Sequence, residues 1–324
     1  MDAYTRELTA KIKSLNEVAW EGRVDNPRLL NWLSNFTGAA LDVQTEHLNA
    51  LHLLAGFVYF GSREIRTLLR SLYRDHVRHH LVARIRQRHG STLSPERLQP
   101  LLAEELKHTR FVALGNPAES GAYLMYLFRQ ENHLPKDMFI HASEVIKERR
   151  PRHLWSRLRL LLGGRTGRAV RHRHVRHYFF LDDLCGSGQQ AISYSRSVVS
   201  LLKALAPGAE VGYLVLFANS DALDRVRRDA SFDFVHATYH LEPSDKCFHP
   251  TARLFSQGMR PPEVDREAAR KLASEYGKFL EPRHPLGYRD GQYALGFHHN
   301  VPDNTLPIFW CSESPSIPWH PVFQ

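Results

Sequence analysis

Tyr178-Phe179-Phe180-Leu181 runs directly into Asp182-Asp183 and then into Leu184-Cys185-Gly186-Ser187-Gly188-Gln189-Gln190. That order leaves few folding options. Four large apolar residues with no polar alternation predict a strand covered on both faces, which calls for a sheet with helices above and below it. The Gly-Ser-Gly turn and the amphipathic stretch from Gln189 to Ala206 predict a helix leaving the strand's carboxyl end. Backbone N–H groups at such a helix start, reinforced by the helix dipole, form a seat for a phosphate. Gly186 and Gly188 allow the main chain to approach the anion, Ser187 offers a hydroxyl, and Gln189 and Gln190 complete the expected seat. Asp182 and Asp183, beside it, are suited to ribose hydroxyls and to Mg²⁺ held through water. The ligand implied is a sugar phosphate.

The rest of the chain agrees with such a sheet. Short β-type runs at Phe111 to Leu114, Met138 to His141, Gly212 to Phe217, Asp233 to Tyr239 and Ala294 to His298 alternate with helical stretches. Those helices are read near Ala122 to Gln130, Asp221 to Asp229 and Pro262 to Leu280. The alternation predicts an α/β fold, a mainly parallel sheet with flanking helices, whose ligands bind at the carboxyl ends of the strands. Residues 1–109 read instead as an all-α domain in front of an α/β domain at 110–324. Its stripes are Leu8, Ile12, Leu15, Val18; Leu29, Leu30, Leu33, Phe36; and Leu48, Leu51, Leu54, Val58. Phe60-Gly61-Ser62 is read as a turn between two helices, compatible with a helix-turn-helix or winged helix, with Ser62 as N-cap. A further helix is expected from Ser94-Pro95-Glu96 to Lys107.

Charge is unevenly spread. The 43 Lys and Arg exceed the 34 Asp and Glu, and the excess concentrates in a basic insertion at 147–177 whose only acid is Glu148. Arg171, Arg173 and Arg176 are its candidate contacts to nucleic acid or polyphosphate; the alternative is a solvated basic face. Histidines 153, 172, 174 and 177 interleave with the arginines, but a His-x-His run seldom closes a metal site without further ligands. Three scattered cysteines, Cys185, Cys247 and Cys311, argue against a disulfide framework or a zinc knuckle. The longest apolar run, Leu53 to Phe60, is far short of the ~20 residues a membrane span needs. The N-terminus shows no signal peptide, so a cytoplasmic setting is expected.

Two further segments complete the pattern. Phe111-Val112-Ala113-Leu114-Gly115-Asn116-Pro117-Ala118-Glu119-Ser120-Gly121 reads as strand, turn and helix start. Pro302-Asp303-Asn304-Thr305-Leu306-Pro307-Ile308-Phe309-Trp310 reads as a tight loop, with Asn304 and Trp310 as candidate substrate contacts; the alternative for Trp310 is a core plug. Hydrophobic-Asp-Asp also fits a Walker B strand, but no Gly-x-x-x-x-Gly-Lys-Ser/Thr occurs in the chain, which removes the ATPase reading.

The apolar-Asp-Asp-Leu-x-Gly-Ser-Gly segment resembles the phosphoribosyl pyrophosphate (PRPP) motif of type I phosphoribosyltransferases. With the Pro-Ala-Glu-Ser-Gly segment, Tyr126, Phe128 and the Pro-Asp-Asn-Thr-Leu-Pro-x-x-Trp ending, residues Arg110 to Trp310 resemble the phosphoribosyltransferase-like domain of bacterial conflict systems, PRTase-CE. The resemblance implies that Gly115, Ser120 and Gly121 grip a pyrophosphate, and that Asp182 and Asp183 orient ribose and Mg. It also implies an effector of a phage-defence or retron-type locus, a toxin restrained by partner proteins such as a reverse transcriptase. A catalytically silent nucleotide sensor that binds nucleic acid or a partner protein is the alternative. Gly186 stands where purine-salvage enzymes carry an acid and Gln190 replaces a phosphate-gripping Thr, which speaks against salvage of a free purine. Glu119 puts a negative charge in the pyrophosphate loop.

Overall fold

The computed structural model describes residues 3–114, 121–149, 167–256, 260–312 and 318–323. Among them the strands are β1 Val58–Phe60, β2 Thr109–Ala113, β3 Phe139–Ile140, β4 Ile146–Arg149, β5 Gly167–Val170, β6 His177–Cys185, β7 Glu210–Asn219, β8 Phe234–Leu241 and β9 Leu295–Phe297. The chain divides into two compact units, one made of Met1–Ile65 with Leu241–Gln324, the other of Arg66–His240. No helix among the described residues is long and apolar enough to cross a membrane.

The first unit joins chain ends that lie far apart in sequence. Helices Asn26–Leu33 and Val43–Ala55 start where the side chains of Asp25 and Asp42 accept hydrogen bonds from the N–H groups of Arg28 and Thr45. Their apolar faces meet Arg266–Leu280 and the C-terminal segment in an aromatic core that includes Trp32, Phe36, Phe57, Phe309, Trp319 and Phe323. Trp32 Nε1 donates to Ile308 O at 2.7 Å, and the fully buried Glu46 accepts from the N–H groups of Gly38, Ala40 and Leu41 and from the Tyr276 hydroxyl. The amphipathic stripes expected to make residues 1–109 a helical domain are therefore covered, up to Ile65, by residues from 241 onward.

Three local expectations change here. Val18 and Leu30 are 82% and 66% exposed, because Val18 ends its helix and the helix around Leu30 buries Leu29 and Trp32 instead. Val58 opens β1, which pairs in parallel with β9, so the run at Ala294 to His298 belongs to this two-stranded sheet rather than to the main one. The helix before it stops at Ala55 with Gly56 as its C-cap, where a Cβ would sit 2.2 Å from Leu254 Cδ1. Phe60-Gly61-Ser62 consequently joins a strand to the helix Ser62–Ser71, not helix to helix, and the helix-turn-helix geometry is not formed there.

The second unit carries a five-stranded sheet in the order β3-β2-β6-β7-β8, with β2 parallel to β3 and to β6, and β6 parallel to β7. Counted from β2, the connections run first to one side, to β3, and then to the other, through β6, β7 and β8. The order reverses between β2 and β6, and in open α/β sheets a ligand crevice forms outside the carboxyl ends of the strands at that reversal. One face packs Tyr178, Phe180, Val211, Tyr213 and Val215 against Ala191, Ile192, Val199 and Leu202 of the helical run after Gly188, and against Ala222, Leu223 and Val226 of the helix Ser220–Asp229. The other stacks Phe111 and Phe179 with centroids 5.7 Å apart, and Phe128 of the helix Gly121–Glu131 meets Phe111 edge-on. β4 and β5 form an antiparallel ribbon that roots the basic insertion; residues 150–166 of it lie outside the described residues.

Candidate functional site

β6 is longer than its apolar core. It runs through Asp182 and Asp183 to Cys185, and its pairing with β2 ends at Leu181 opposite Ala113. The two acids thus project past the end of β2, at the reversal point of the sheet. Asp182 falls on the face of Tyr178 and Phe180. It is 8% exposed, accepts the Tyr213 hydroxyl on Oδ2 at 2.7 Å, and accepts the Asp183 N–H on Oδ1 at 3.0 Å. Asp183 is half-buried and accepts the Leu184 N–H at 2.8 Å.

Asp182, with both oxygens hydrogen-bonded and little exposure, braces the end of β6 against Tyr213 of β7.

The turn itself is constructed as the sequence suggests. Gly188 has φ +74° and caps the helix Gln189–Tyr194, which continues through a π turn at Ser195–Val199 into Ser200–Leu205. A Cβ on Gly188 would lie 2.9 Å from Ala222 O and 2.9 Å from Val226 Cγ2, so only glycine lets the turn rest against the helix Ser220–Asp229. Gly186 and Ser187 are half-buried, and Gln189 and Gln190 are exposed. Ser187 Oγ accepts the Gln189 N–H at a long 3.4 Å, which keeps its own proton available for donation to a ligand.

A cation also stands at the turn that local sequence does not reveal. Arg225, 38 residues away, donates from Nη2 to Ser187 O at 3.1 Å. Only the packing of the helix Ser220–Asp229 on Gly188 brings it there. Cys185 closes the strand 2% exposed, and burial pushes its thiol up to about 12, so it is a filler and not a nucleophile.

The other expected site residues are distributed as follows. Gly121 begins the helix Gly121–Glu131 with its Cβ position 3.0 Å from Leu114 O, while Gly115, Glu119 and Ser120 lie outside the described residues. Asn304 and Trp310 belong to the first compact unit. There Asn304 Nδ2 donates to Tyr288 O at 3.1 Å, and Trp310 Nε1 donates to Thr305 O at 3.0 Å while packing on the aromatic core, so both hold their own loop. Of the basic segment, Arg171 pairs with Glu144 at 3.3 Å and Arg176 with the buried Glu105 at 3.5 Å. Arg173 is exposed and makes no ion pair among the described residues.

The parallel sheet with its order reversed between β2 and β6, and the strand-turn-helix unit that follows β6, match a phosphoribosyltransferase-like fold. The chain belongs to the PRTase-CE family, whose model matches residues 29–324. Among solved structures it is similar to the Helicobacter pylori xanthine-guanine-hypoxanthine phosphoribosyltransferase, with 11% identity, 44% of this chain and 88% of that chain covered, and a TM-score of 0.22. A search of curated proteins finds no matching sequence.

Proposed function

We propose that the turn Gly186–Gly188 and the helix start after it bind the 5′-phosphate of PRPP or a related nucleotide, and that the protein transfers or cleaves the ribosyl bond. The observation that carries this reading is Gly188 in its left-handed conformation, pressed on the helix Ser220–Asp229 with Arg225 at its edge. A phosphate there meets helix N–H groups, the Ser187 hydroxyl and a guanidinium together. In a transfer, the C1–oxygen bond breaks with its electron pair leaving on pyrophosphate, and an acceptor nitrogen or oxygen bonds C1 and loses its proton. Asp183, beside the seat, is the acid suited to oppose the positive charge that grows on the ribose ring. The wider role in this reading is that of a cytoplasmic effector of a defence system, supported by the resemblance of its motifs to conflict-system domains.

One observation favours a second reading. Asp182 is consumed by Tyr213 and the Asp183 N–H, leaving a single acid at the seat, which suits a nucleotide sensor that binds without turnover.

Titration of PRPP with MgCl₂ into the wild type and Arg225→Gln, with pyrophosphate release followed in parallel, separates the readings. Binding weakened about tenfold by Arg225→Gln supports the seat, since a charge-assisted contact contributes ~1.5 kcal/mol or more. Turnover abolished by Asp183→Asn supports the enzyme, and tight binding without turnover supports the sensor. Absence of any PRPP binding by the wild type would refute both.

A further inference from the structure

At the opposite end of β6 from the Gly-Ser-Gly turn, roughly 25 Å along the strand, three side chains bring potential ligand atoms close together. His80 of the helix His79–His89, His177 at the start of β6 and Glu210 at the start of β7 bring one ligand atom each to within 4.8 Å of the others. His80 Nε2 lies 3.2 Å, and His177 Nδ1 lies 3.1 Å, from the same Glu210 oxygen, Oε2.

His177 makes the arrangement unusual. It is 3% exposed, and its Nε2 is hydrogen-bonded to Glu105 Oε2 at 3.1 Å. A carboxylate only accepts, so the ring carries a proton on Nε2, and in the neutral ring Nδ1 then presents a lone pair. That Nδ1 is buried without an aligned hydrogen bond, although Glu210 Oε2 is close. Glu210 Oε2 is hydrogen-bonded to His80 Nε2 at 3.2 Å, so His177 Nδ1 is the ring nitrogen of the cluster that is left buried beside a carboxylate oxygen without an aligned bond.

We propose that this cluster is a binding site for a divalent transition-metal ion of the zinc class, held by His80 Nε2, His177 Nδ1 and Glu210 Oε2, with water as fourth ligand. Zinc bonds of about 2.0–2.2 Å to N and O put tetrahedral neighbours roughly 3.3 Å apart, close to the 3.1 and 3.2 Å from the two rings to Glu210 Oε2, and the two ring nitrogens, within 4.8 Å of each other, would draw together on the ion. Glu105 supplies the outer carboxylate that fixes the tautomer and ring orientation of a metal-bound histidine. His80 joins as its Nδ1–H tautomer. Phe234 and Phe179 flank the His80 ring, with centroids 4.3 and 6.1 Å away, and give the site an apolar wall. Arg84 pairs with Glu210 Oε1, leaving Oε2 as a single-atom donor, and Arg88 and Arg176 pair with Glu105. These cations weaken the attraction for a dication, so the site holds zinc reversibly. The ion would tie a helix to the first residues of two adjacent strands.

The competing arrangement is a doubly protonated His177 bridging Glu105 and Glu210 with no metal. Zinc ion alone, titrated against a chelating dye, distinguishes the two in the intact protein. One zinc per chain is expected for the wild type, with affinity reduced at least tenfold in His80→Gln and in Glu210→Gln, and unchanged in a His172→Gln, His174→Gln double variant. Cobalt(II) added to the wild type is expected to give the visible absorption of a four-coordinate ion, a readout that needs no variant to fold. Zinc retained equally by His80→Gln, zinc lost in the His172/His174 variant, or no four-coordinate cobalt spectrum would overturn the proposal.

Discussion

Replacing Gly188 by alanine tests whether the turn after β6 is held as described, and Gly90→Ala supplies its reference within the same compact unit. Gly90 has φ +62° with nothing within 4 Å of its Cβ position. Alanine there carries only the conformational penalty of the left-handed region, about 1 kcal/mol. Gly188, at φ +74°, carries the same penalty plus a Cβ 2.9 Å from both Ala222 O and Val226 Cγ2. Backbone cannot yield as a flexible side-chain tip does, and such overpacking adds about 1–3 kcal/mol. Urea unfolding should therefore show a loss of about 2–4 kcal/mol for Gly188→Ala against about 1 for Gly90→Ala. The folded fraction of Gly188→Ala should also bind PRPP at least tenfold more weakly, because the turn must lift off the helix that carries Arg225. Equal losses for the two variants would mean that the turn does not rest on the helix Ser220–Asp229, and the case for a preformed phosphate seat would fall with it.

Tyr213→Phe removes the buried hydroxyl that donates to Asp182 Oδ2 at 2.7 Å without opening a cavity, and should cost about 1.5–3 kcal/mol in denaturant unfolding. A loss under about 0.5 kcal/mol would return Asp182 to a ligand-facing role. His52 accepts the Tyr4 hydroxyl at Nδ1 and meets Leu254 O at Nε2, and burial pushes its pKa down to about 4 from 6.5. The unfolded chain then binds the extra proton first, so stability is complete above pH 6.5 and falls by up to about 3 kcal/mol as pH drops toward 4. His52→Gln should flatten the pH dependence of unfolding across that window; an unchanged slope would contradict this. Burial raises the thiols of Cys185 and Cys247 to about 12 from 9.0. The unfolded chain loses those protons first, so stability should decline above pH 9, and neither thiol should react with a disulfide reagent in the native protein at pH 8. Rapid labelling of either one before unfolding would show the burial to be wrong.

Much of the sheet and its turn was written into short stretches of the chain. The unbroken apolar run at Tyr178 to Leu181 needs no distant information to become a doubly covered strand, and Gly-Ser-Gly before an amphipathic stretch needs none to become a turn entering a helix. Strands expected at Phe111, Gly212 and Asp233 formed within a few residues of their predicted ends, because burial period and turn residues act over one element at a time. Side-chain direction around the site was less accessible. Asp182-Asp183 reads as a pair in one dimension, but the structure gives them different partners, the Tyr213 hydroxyl for Asp182 and the Leu184 N–H for Asp183.

Everything joined across long separations was decided by packing. Residues 3–55 have helical stripes that say they must be covered, but not that residues 241–324 cover them, since an apolar face carries no address for its partner. Arg225 reaches Ser187 only because Gly188 lets two helices approach, and His80, His177 and Glu210 converge only because a helix end and two strand starts meet at one edge of the sheet. Local periodicity determines which elements form and which faces are apolar. The chemistry at their ends depends on which strand lies beside which, and that order is set by the burial of the whole core at once.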